Sequence, residues 1–186
     1  DFLSHRYLYA IDPGYGFRNG TGVAIFDHET LRLIACGILR PFAPGLEDHR
    51  ATIEMATQTK DFWIKRVGFS YDPVLLCIEY PQNCYIKNGF LVNPRNIIML
   101  GILCSRIEGK FSAKDNLRPS PNLWKGSSSK VSTEEMVMEK LCVWSKKTLA
   151  EELSTIPKHL HHNIYDAIGL GLWAIENSKN QQKDKK

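Results

Sequence analysis

The sequence lacks a long apolar run and nowhere approaches the roughly eighteen consecutive apolar residues that a membrane-spanning helix needs. It also lacks a signal-peptide pattern at its start and a Cys-x-x-Cys spacing among its five cysteines. Three of these cysteines lie within apolar runs, which predicts buried free thiols. We therefore expect a cytoplasmic protein of a reducing compartment, with no membrane partner.

The common nucleotide and zinc motifs are missing as well. In the glycine-rich stretch 14–19, Asn19 stands where the dinucleotide fingerprint requires its third glycine, and no Gly-Lys-Ser/Thr of a P-loop occurs. His159, His161 and His162 lie close together, but no His-Glu-x-x-His motif and no nearby cysteine accompanies them. We expect no nucleotide cofactor, and we assign most of these histidines to surface or capping positions.

The length and composition are those of one globular unit. At 186 residues and 43% hydrophobic content, the chain has enough apolar side chains for one full core. The net charge of +4 permits a nucleic-acid partner without requiring one. We predict a single domain over residues 1–177 and a disordered, solvated basic tail over residues 178–186.

The first apolar run ends on an acid. Residues 7–11 are too few for a helix, which predicts a strand that ends at Asp12 and is terminated by Pro13 and Gly14. Runs at 21–27 and 31–39 follow after short turns, so we expect an antiparallel meander of three strands. Asp-Pro-Gly is also an ordinary turn signal, so Asp12 alone does not define a site.

A second buried strand repeats this arrangement. Residues 74–78 are continuously apolar, Glu79 follows them directly, and Pro81 ends the stretch. Because sites gather at the carboxyl ends of strands in helix-covered sheets, Asp12 and Glu79 together predict one site.

A third acid lies in the last predicted helix, residues 161–176. This acid is Asp166, and His162 and Asn163 precede it by four and three positions on the same helix face. Carboxylates are hard oxygen ligands that suit Mg²⁺ or Mn²⁺, and two such ions about 4 Å apart can activate water for phosphodiester hydrolysis. His162 and Asn163 could reach the same metal or the attacking water.

Apolar periodicity and capping residues predict the other helices. We expect them at 47–67, 94–108, 133–143 and 147–153. The first should bury Ile53, Ala56, the Lys60 stem, Trp63 and Val67. The helix at 94–108 is apolar nearly all round, which favours a central position with partial cover from a second subunit. We expect Trp124 and Trp173 to lie in the core, and the pairs Glu134-Glu135 and Glu151-Glu152 on solvated helix faces.

The motifs around the three acids carry a family resemblance. They are Ile11-Asp12-Pro13-Gly14, Thr21-Gly22-Val23-Ala24, Ile78-Glu79 and His162-Asn163-Ile164-Tyr165-Asp166-Ala167-Ile168-Gly169-Leu170-Gly171-Leu172. In this order they resemble the RuvC family of Holliday-junction resolvases, from Tyr7 to about Glu176. The segment Trp124-Lys125-Gly126, followed by Lys130, resembles the compact phage branch of that family.

The resemblance implies an α/β ribonuclease H-like fold, with a five-stranded mixed sheet whose first three strands are antiparallel and helices on both faces. It implies a homodimer, bacterial or phage-encoded, that nicks four-way DNA junctions in pairs with two Mg²⁺ or Mn²⁺ ions per active site and leaves a 5′-phosphate. The family's carboxylates fall on Asp12, Glu79 and Asp166. Its fourth metal position, usually Asp and in some members His, falls on Asn163, which departs from the pattern.

Basic and aromatic residues fit a DNA partner. Cations expected in or beside loops at the acidic end of the sheet are Arg18, Lys87, Arg95, Arg118, Lys125 and Lys130. Tyr85 and Phe90, in the loop after Glu79, either press against unstacked bases at the junction centre or pin the loop to its own domain.

Three other functions compete with junction resolution. One is a ribonuclease H-like nuclease of different DNA specificity, and another is a catalytically weak junction-binding protein, which Asn163 favours. The third is an actin-like or sugar-kinase ATPase, which also begins with an Asp-x-Gly turn. That class needs two such domains, and 186 residues cannot supply both.

Overall fold

The computed structural model describes residues 5–68, 74–81, 86–87, 90–91, 93–111, 116–126 and 130–183. For residues 86–87, 90–91, 130–131 and 179–183 only the backbone is described.

Within these described ranges, seven strands form two sheets. In chain order they are β1 (Tyr7–Asp12), β2 (Thr21–Asp27), β3 (Arg32–Leu39), β4 (Val74–Ile78), β5 (Ile86–Lys87), β6 (Phe90–Leu91) and β7 (Asn116–Leu117). The main sheet has the order β3-β2-β1-β4-β7, with β1 to β3 antiparallel and β4 parallel to both β1 and β7. This confirms the antiparallel meander and the five-stranded mixed sheet. The small β5–β6 hairpin lies where we expected a loop.

The central strand β1 is buried on both faces. Leu8 and Ala10 belong to one apolar cluster, whereas Tyr9 and Ile11 belong to another, as the two-residue period of a strand requires. All four side chains are fully buried. Helices must therefore cover both faces of the sheet.

In the part of the chain that the structure describes, six α-helices supply that cover. They are α1 (Asp48–Val67), α2 (Pro94–Phe111), α3 (Pro121–Trp124), α4 (Lys130–Lys140), α5 (Val143–Leu153) and α6 (His161–Lys183), with a 3₁₀ turn at Lys158–Leu160. Helices α1 and α2 contribute Met55, Trp63 and Ile107 to the cluster around Tyr9 and Ile11. Helices α4, α5 and α6 contribute residues such as Val137, Leu149 and Ile168 to the opposite cluster. The expected helices on both faces are present.

The buried face of α1 differs from the prediction. Ile53 is 46% exposed, whereas Thr52, Met55 and Thr59 are fully buried. The threonine hydroxyls donate to backbone carbonyls one turn back, Thr52 to His49 at 2.9 Å and Thr59 to Met55 at 2.7 Å. Because these hydroxyls are satisfied within the helix, threonine can face the core, and a pattern of apolar residues alone misses it.

Two helices run past their predicted ends. Helix α2 passes through Gly109 to Phe111, because the buried Phe111 ring packs against Tyr9 with 5.5 Å between centroids. Helix α6 continues from the expected end at Glu176 to Lys183, and Ser178 is buried with its hydroxyl donating to the Ile175 carbonyl. Residue 178, where we expected the disordered tail to begin, is therefore a buried residue of this helix. No helix in the described ranges combines the length and apolarity that crossing a membrane demands.

The thiols follow the prediction in part. Cys36, Cys77 and Cys104 are free and buried, and burial raises the pKa of Cys36 and of Cys104 to about 12. Cys142 is free but exposed at the start of α5. Cys84 lies outside the described residues.

Small residues let α6 lie close to the sheet. A Cβ on Gly171 would meet the ring of the buried Phe26 and lie 3.2 Å from the Ala10 Cβ. A Cβ on Gly22 would meet the Asn163 backbone carbonyl. The helix that carries Asp166 therefore reaches the sheet only because Gly22 on the sheet and Gly171 on the helix have no side chain.

We expect Gly171→Ala to lower the free energy of unfolding. Overpacking against Phe26 costs about 1–3 kcal/mol, and the gain in helix propensity returns at most about 1 kcal/mol. Gly109→Ala, where nothing lies within 4 Å of the added methyl group, keeps the gain without the clash. Urea unfolding should thus show the first variant destabilised and the second unchanged or stabilised. Equal stability of both variants would contradict this close packing.

Candidate active site

Strands β1 and β4 place two acids side by side. The strands are parallel, Ile11 pairs with Ile78, and the Glu79 backbone N–H donates to the Ile11 carbonyl at 3.0 Å. Asp12 and Glu79 therefore leave the sheet at the same edge from adjacent strands, as the sequence predicted.

Helix α6 brings Asp166 to the same edge, beside Glu79. Burial raises the pKa of Glu79, and the negative charge of Asp166 contributes to the same direction. A hydrogen bond from the Trp124 side chain and the positive charge of Lys125 both lower the pKa of Glu79 and so oppose this rise. The two carboxylates are thus close enough to interact in a region with little water.

The segment at the end of α3 contacts both of these carboxylates. The Trp124 indole Nε1–H donates to Glu79 Oε2 at 2.6 Å, and Lys125 Nζ lies 2.6 Å from Asp166 Oδ1. The Lys125 and Asp166 side chains are only 19% and 13% exposed. A hydrogen-bond donor and a cation thus compensate two partly buried acids that would otherwise repel each other.

The expected core position of Trp124 is therefore only part of its role. Trp124 and Trp173 both pack against the core cluster on the α6 side of the sheet, as predicted. The bond from Trp124 to Glu79 was not predicted. The only signal for it in the sequence was the family resemblance of the Trp124-Lys125-Gly126 segment.

Asp12 lines a cleft of about 510 Å³ next to this pair of acids. The β1–β2 turn, the start of α2, and His162 and Asn163 at the start of α6 form its other walls. His162 and Asn163 thus share a surface with Asp12, as their register on the helix predicted. Of the other two histidines, His161 contacts the Ile156 carbonyl through Nε2 at 2.8 Å, and His159 is exposed.

Asn163 holds the β1–β2 turn. It is the third residue of α6 and not its N-cap, it is buried, and its Nδ2 donates to the Asn19 carbonyl at 2.5 Å. The amide nitrogen is therefore committed to the protein backbone. The amide oxygen of Asn163 is the atom that remains to act as a neutral metal ligand.

The chemical types of the donors, taken apart from their spacing, suit a hard divalent cation. Three carboxylates and one amide oxygen gather at one edge of the sheet, and oxygen ligands are those that Mg²⁺ and Mn²⁺ prefer. Within the described ranges, however, no three His, Cys, Asp or Glu side chains converge as a metal-holding group. Glu79 and Asp166 instead contact Trp124 and Lys125, so the Lys125 ammonium supplies positive charge beside these acids.

The structure describes the side chains of only some of the residues that we expect to contact DNA. Arg18 is exposed in the β1–β2 turn. Arg95 is exposed but pairs with Asp48 at 2.7 Å, and Arg118 makes a two-pronged pair with Glu108 at 2.7 and 2.9 Å. The side chains of Lys87, Phe90 and Lys130, and the whole of Tyr85, lie outside the described part of the chain. Lys125 contacts Asp166. Three of the cations that we expected to face DNA, Arg95, Arg118 and Lys125, therefore pair with carboxylates of the protein.

We expect Asn163→Ala and Asn163→Asp both to destabilise the metal-free protein. Alanine removes the hydrogen bond to the Asn19 carbonyl, which costs about 0.5–1.5 kcal/mol, and aspartate places a carboxylate against that carbonyl. Thermal unfolding in EDTA measures the loss, with the exposed Asn122→Ala as the matched control. If Asn163→Asp matches the wild type in EDTA and gains more melting temperature from Mg²⁺, the residue is a metal ligand and does not hold the turn.

Comparisons with known proteins identify the fold. No protein-family model and no curated protein matches the chain. Among solved structures, the crystal structure of the yeast mitochondrial Holliday junction resolvase Ydc2 is similar, with a TM-score of 0.58 and 12% sequence identity. The similarity covers 98% of this chain and 85% of that chain. It confirms the expected α/β fold of the ribonuclease H-like type, a mixed five-stranded sheet with helices.

Proposed function

We propose that this protein is a metal-dependent, structure-selective DNA endonuclease that resolves four-way (Holliday) and other branched DNA junctions by paired nicking. The observation that carries the proposal is the placement of Asp12, Glu79 and Asp166 at one edge of the sheet. The fold supports it, since it is shared with a Holliday junction resolvase. Membership of the RuvC-like family, in its phage-type branch, is part of the proposal, and the contacts of Trp124 and Lys125 with two of the acids support it.

Asp12, Glu79 and Asp166 are the residues that would hold Mg²⁺ or Mn²⁺, two ions per site, with the Asn163 amide oxygen as a neutral donor. Such ions supply an activated water and stabilise the leaving oxygen in phosphodiester hydrolysis. Trp124 fixes the orientation of Glu79 through its indole N–H. His162, which lines the cleft with Asp12, is a candidate to hold the attacking water or to accept its proton.

Lys125 keeps the acidic edge compatible with a polyanion. A phosphate brought near Glu79 and Asp166 would meet two negative charges, and the Lys125 ammonium offsets one of them. The ammonium can exchange Asp166 for a DNA phosphate when positive charge reaches the carboxylate from another source. In the proposed reaction, a metal ion would therefore compete with Lys125 for Asp166, and a DNA phosphate would compete with Asp166 for Lys125.

A catalytically weak junction-binding protein is the second candidate. The observation that favours it is that the Asn163 amide nitrogen is committed to Asn19, while Asp166 is committed to Lys125. Cutting and binding must therefore be measured separately.

We expect Asp12→Asn, Glu79→Gln and Asp166→Asn each to reduce junction cutting in Mg²⁺ on the order of 100-fold or more. Each change removes a charged oxygen ligand while it preserves side-chain shape. Synthetic four-way junctions and linear duplexes of the same sequence are the substrates. Junction binding in EDTA should survive or tighten, because a repulsive charge near the phosphates is removed. Asp61→Asn, an exposed acid on α1, is the matched control and should cut normally.

A readout independent of cutting comes from Trp124, whose indole contacts Glu79. Titration with Mg²⁺ should change tryptophan emission in the wild type but not in Trp124→Phe. Near-normal cutting by any of the three acid variants would refute the site. Equal cutting of duplex and junction would indicate a nuclease of other specificity, and junction binding with neither cutting nor a metal response would indicate the binding protein.

We further propose that the protein is a homodimer formed through α2. The inner face of α2 buries Leu103 and Ile107, whereas Ile98 on the outer face is 61% exposed. Gly101 lies one turn further along, and nothing among the described residues comes within 4 Å of a Cβ built on it. An apolar side chain beside a small residue suits close helix–helix contact. A second copy is the occupant that paired nicking requires, since each cut strand needs its own active site.

We expect Ile98→Glu to weaken self-association at least about tenfold, because a charge would be buried without a partner. Sedimentation equilibrium measures the effect, and junction assays should show single nicks replacing paired ones. Phe42→Glu places the same change on another exposed apolar residue, 84% exposed, and should behave as the wild type. A wild-type protein that is monomeric at high micromolar concentration, with and without junction DNA, would refute the dimer.

A further inference from the structure

The cleft beside Asp12 has a lining of which the proposed chemistry uses only Asp12, His162 and Asn163. It holds about 510 Å³, within the range that bound small ligands occupy. One wall is the β1–β2 turn, with Tyr15, and the opposite wall is the first turns of α2, with Asn96 and Leu100. Asp12 lies in the lining, so whatever enters the cleft lies next to the proposed reaction centre.

The charge of the lining decides which part of a nucleotide could enter. Among the described residues that line the cleft there is no Lys and no Arg, whereas the carboxylate of Asp12 is present. Apart from the scissile phosphate that metal ions on Asp12 would hold, a phosphate would find no cation there and would face a negative charge. Tyr15, Pro13 and Leu100 instead offer apolar surface, which suits an uncharged planar group.

The polar groups of the two walls meet across the cleft. Tyr15 Oη donates to Asn96 Oδ1 at 2.9 Å, which occupies the amide oxygen and leaves both N–H donors of the Asn96 amide nitrogen for another acceptor. Burial and the nearby Asp48 raise the pKa of Tyr15, so the hydroxyl keeps its proton and the bond keeps its direction. The cleft therefore presents hydrogen-bond donors from a fixed position.

Hydrogen bonds within the chain hold the turn wall in place. Thr21 Oγ1 donates to the Gly14 carbonyl at 2.6 Å and accepts from the Gly14 N–H at 3.1 Å. The Gly20 N–H donates to the Gly16 carbonyl at 2.8 Å, and Asn163 holds the Asn19 carbonyl. A site with fixed walls loses little conformational entropy when a ligand enters.

We propose that this cleft binds one nucleobase of the cleaved strand, next to the scissile phosphate, with Asn96 donating to an acceptor atom on the base edge and Tyr15 contacting the base. This inference rests on the proposed function and adds a substrate contact to it. A base lies one sugar away from its phosphate, which matches a cleft that has no Lys or Arg in its lining and contains the carboxylate proposed to hold metal.

The test is a cycle that removes the base from the DNA and the amide from the protein. Four-way junctions carry a single abasic residue, moved one position at a time across the branch point, and dissociation constants are measured by fluorescence anisotropy in EDTA. The proteins are the wild type, Asn96→Ala and Asn96→Asp, with Asn122→Ala as an exposed asparagine outside the cleft. Circular dichroism checks that each variant is folded.

For the wild type, we expect one or two adjacent abasic positions to weaken binding on the order of tenfold. Both Asn96 variants should bind the intact junction correspondingly more weakly and show no further loss at those positions, while Asn122→Ala keeps the wild-type response. In Mg²⁺ the responsive positions should flank the nick. The inference is overturned if no position matters for the wild type, or if the Asn96 variants keep the full response. Because binding is measured in EDTA, a failure to cut junctions counts against the proposed function alone.

Discussion

The parallel pairing of β1 with β4 is the constraint on which the candidate site depends. In-register pairing of Ile11 with Ile78 makes the next residues, Asp12 and Glu79, neighbours at one sheet edge. Both strands are buried on both faces, so a shift by one residue would exchange the side chains that pack into the two core clusters and disrupt both. The positions of the two acids are therefore fixed by the stability of the core.

The electrostatics of the site follow from that position. A carboxylate at the end of a buried strand loses hydration, and burial is the leading cause of the raised pKa of Glu79. Leaving a buried charge without a partner costs several kcal/mol, far more than an exposed ion pair contributes. The bonds of Trp124 to Glu79 and of Lys125 to Asp166 supply the missing partners. Trp124 and Lys125 at the end of α3 therefore let the acidic end of the sheet fold without a bound metal ion.

The sequence predicted the parts of the site that depend on local pattern. A short apolar run followed by an acid was enough to locate Asp12 and Glu79, and helical register was enough to align Asn163 with Asp166. The contact of Trp124 with Glu79 spans 45 residues and depends on how α3 packs, which no local pattern specifies. The bond of Asn163 to Asn19 depends likewise on the close approach of α6 to β2.

The cations near the acidic end of the sheet differ in how firmly they are held in a chain of net charge +4. Arg95 is 73% exposed and pairs with Asp48 through one bond, and such a pair contributes little stability and exchanges readily for a phosphate. Arg118 makes two bonds to Glu108, which is only 12% exposed, so this arginine is held more firmly. Lys125 is different, because its pair with Asp166 is largely shielded from water. On the proposed function, Arg95 can turn to the DNA backbone at little cost. On the same proposal, Lys125 can leave Asp166 only when other positive charge replaces it, so metal binding and phosphate binding at this site would be coupled through a single ammonium group.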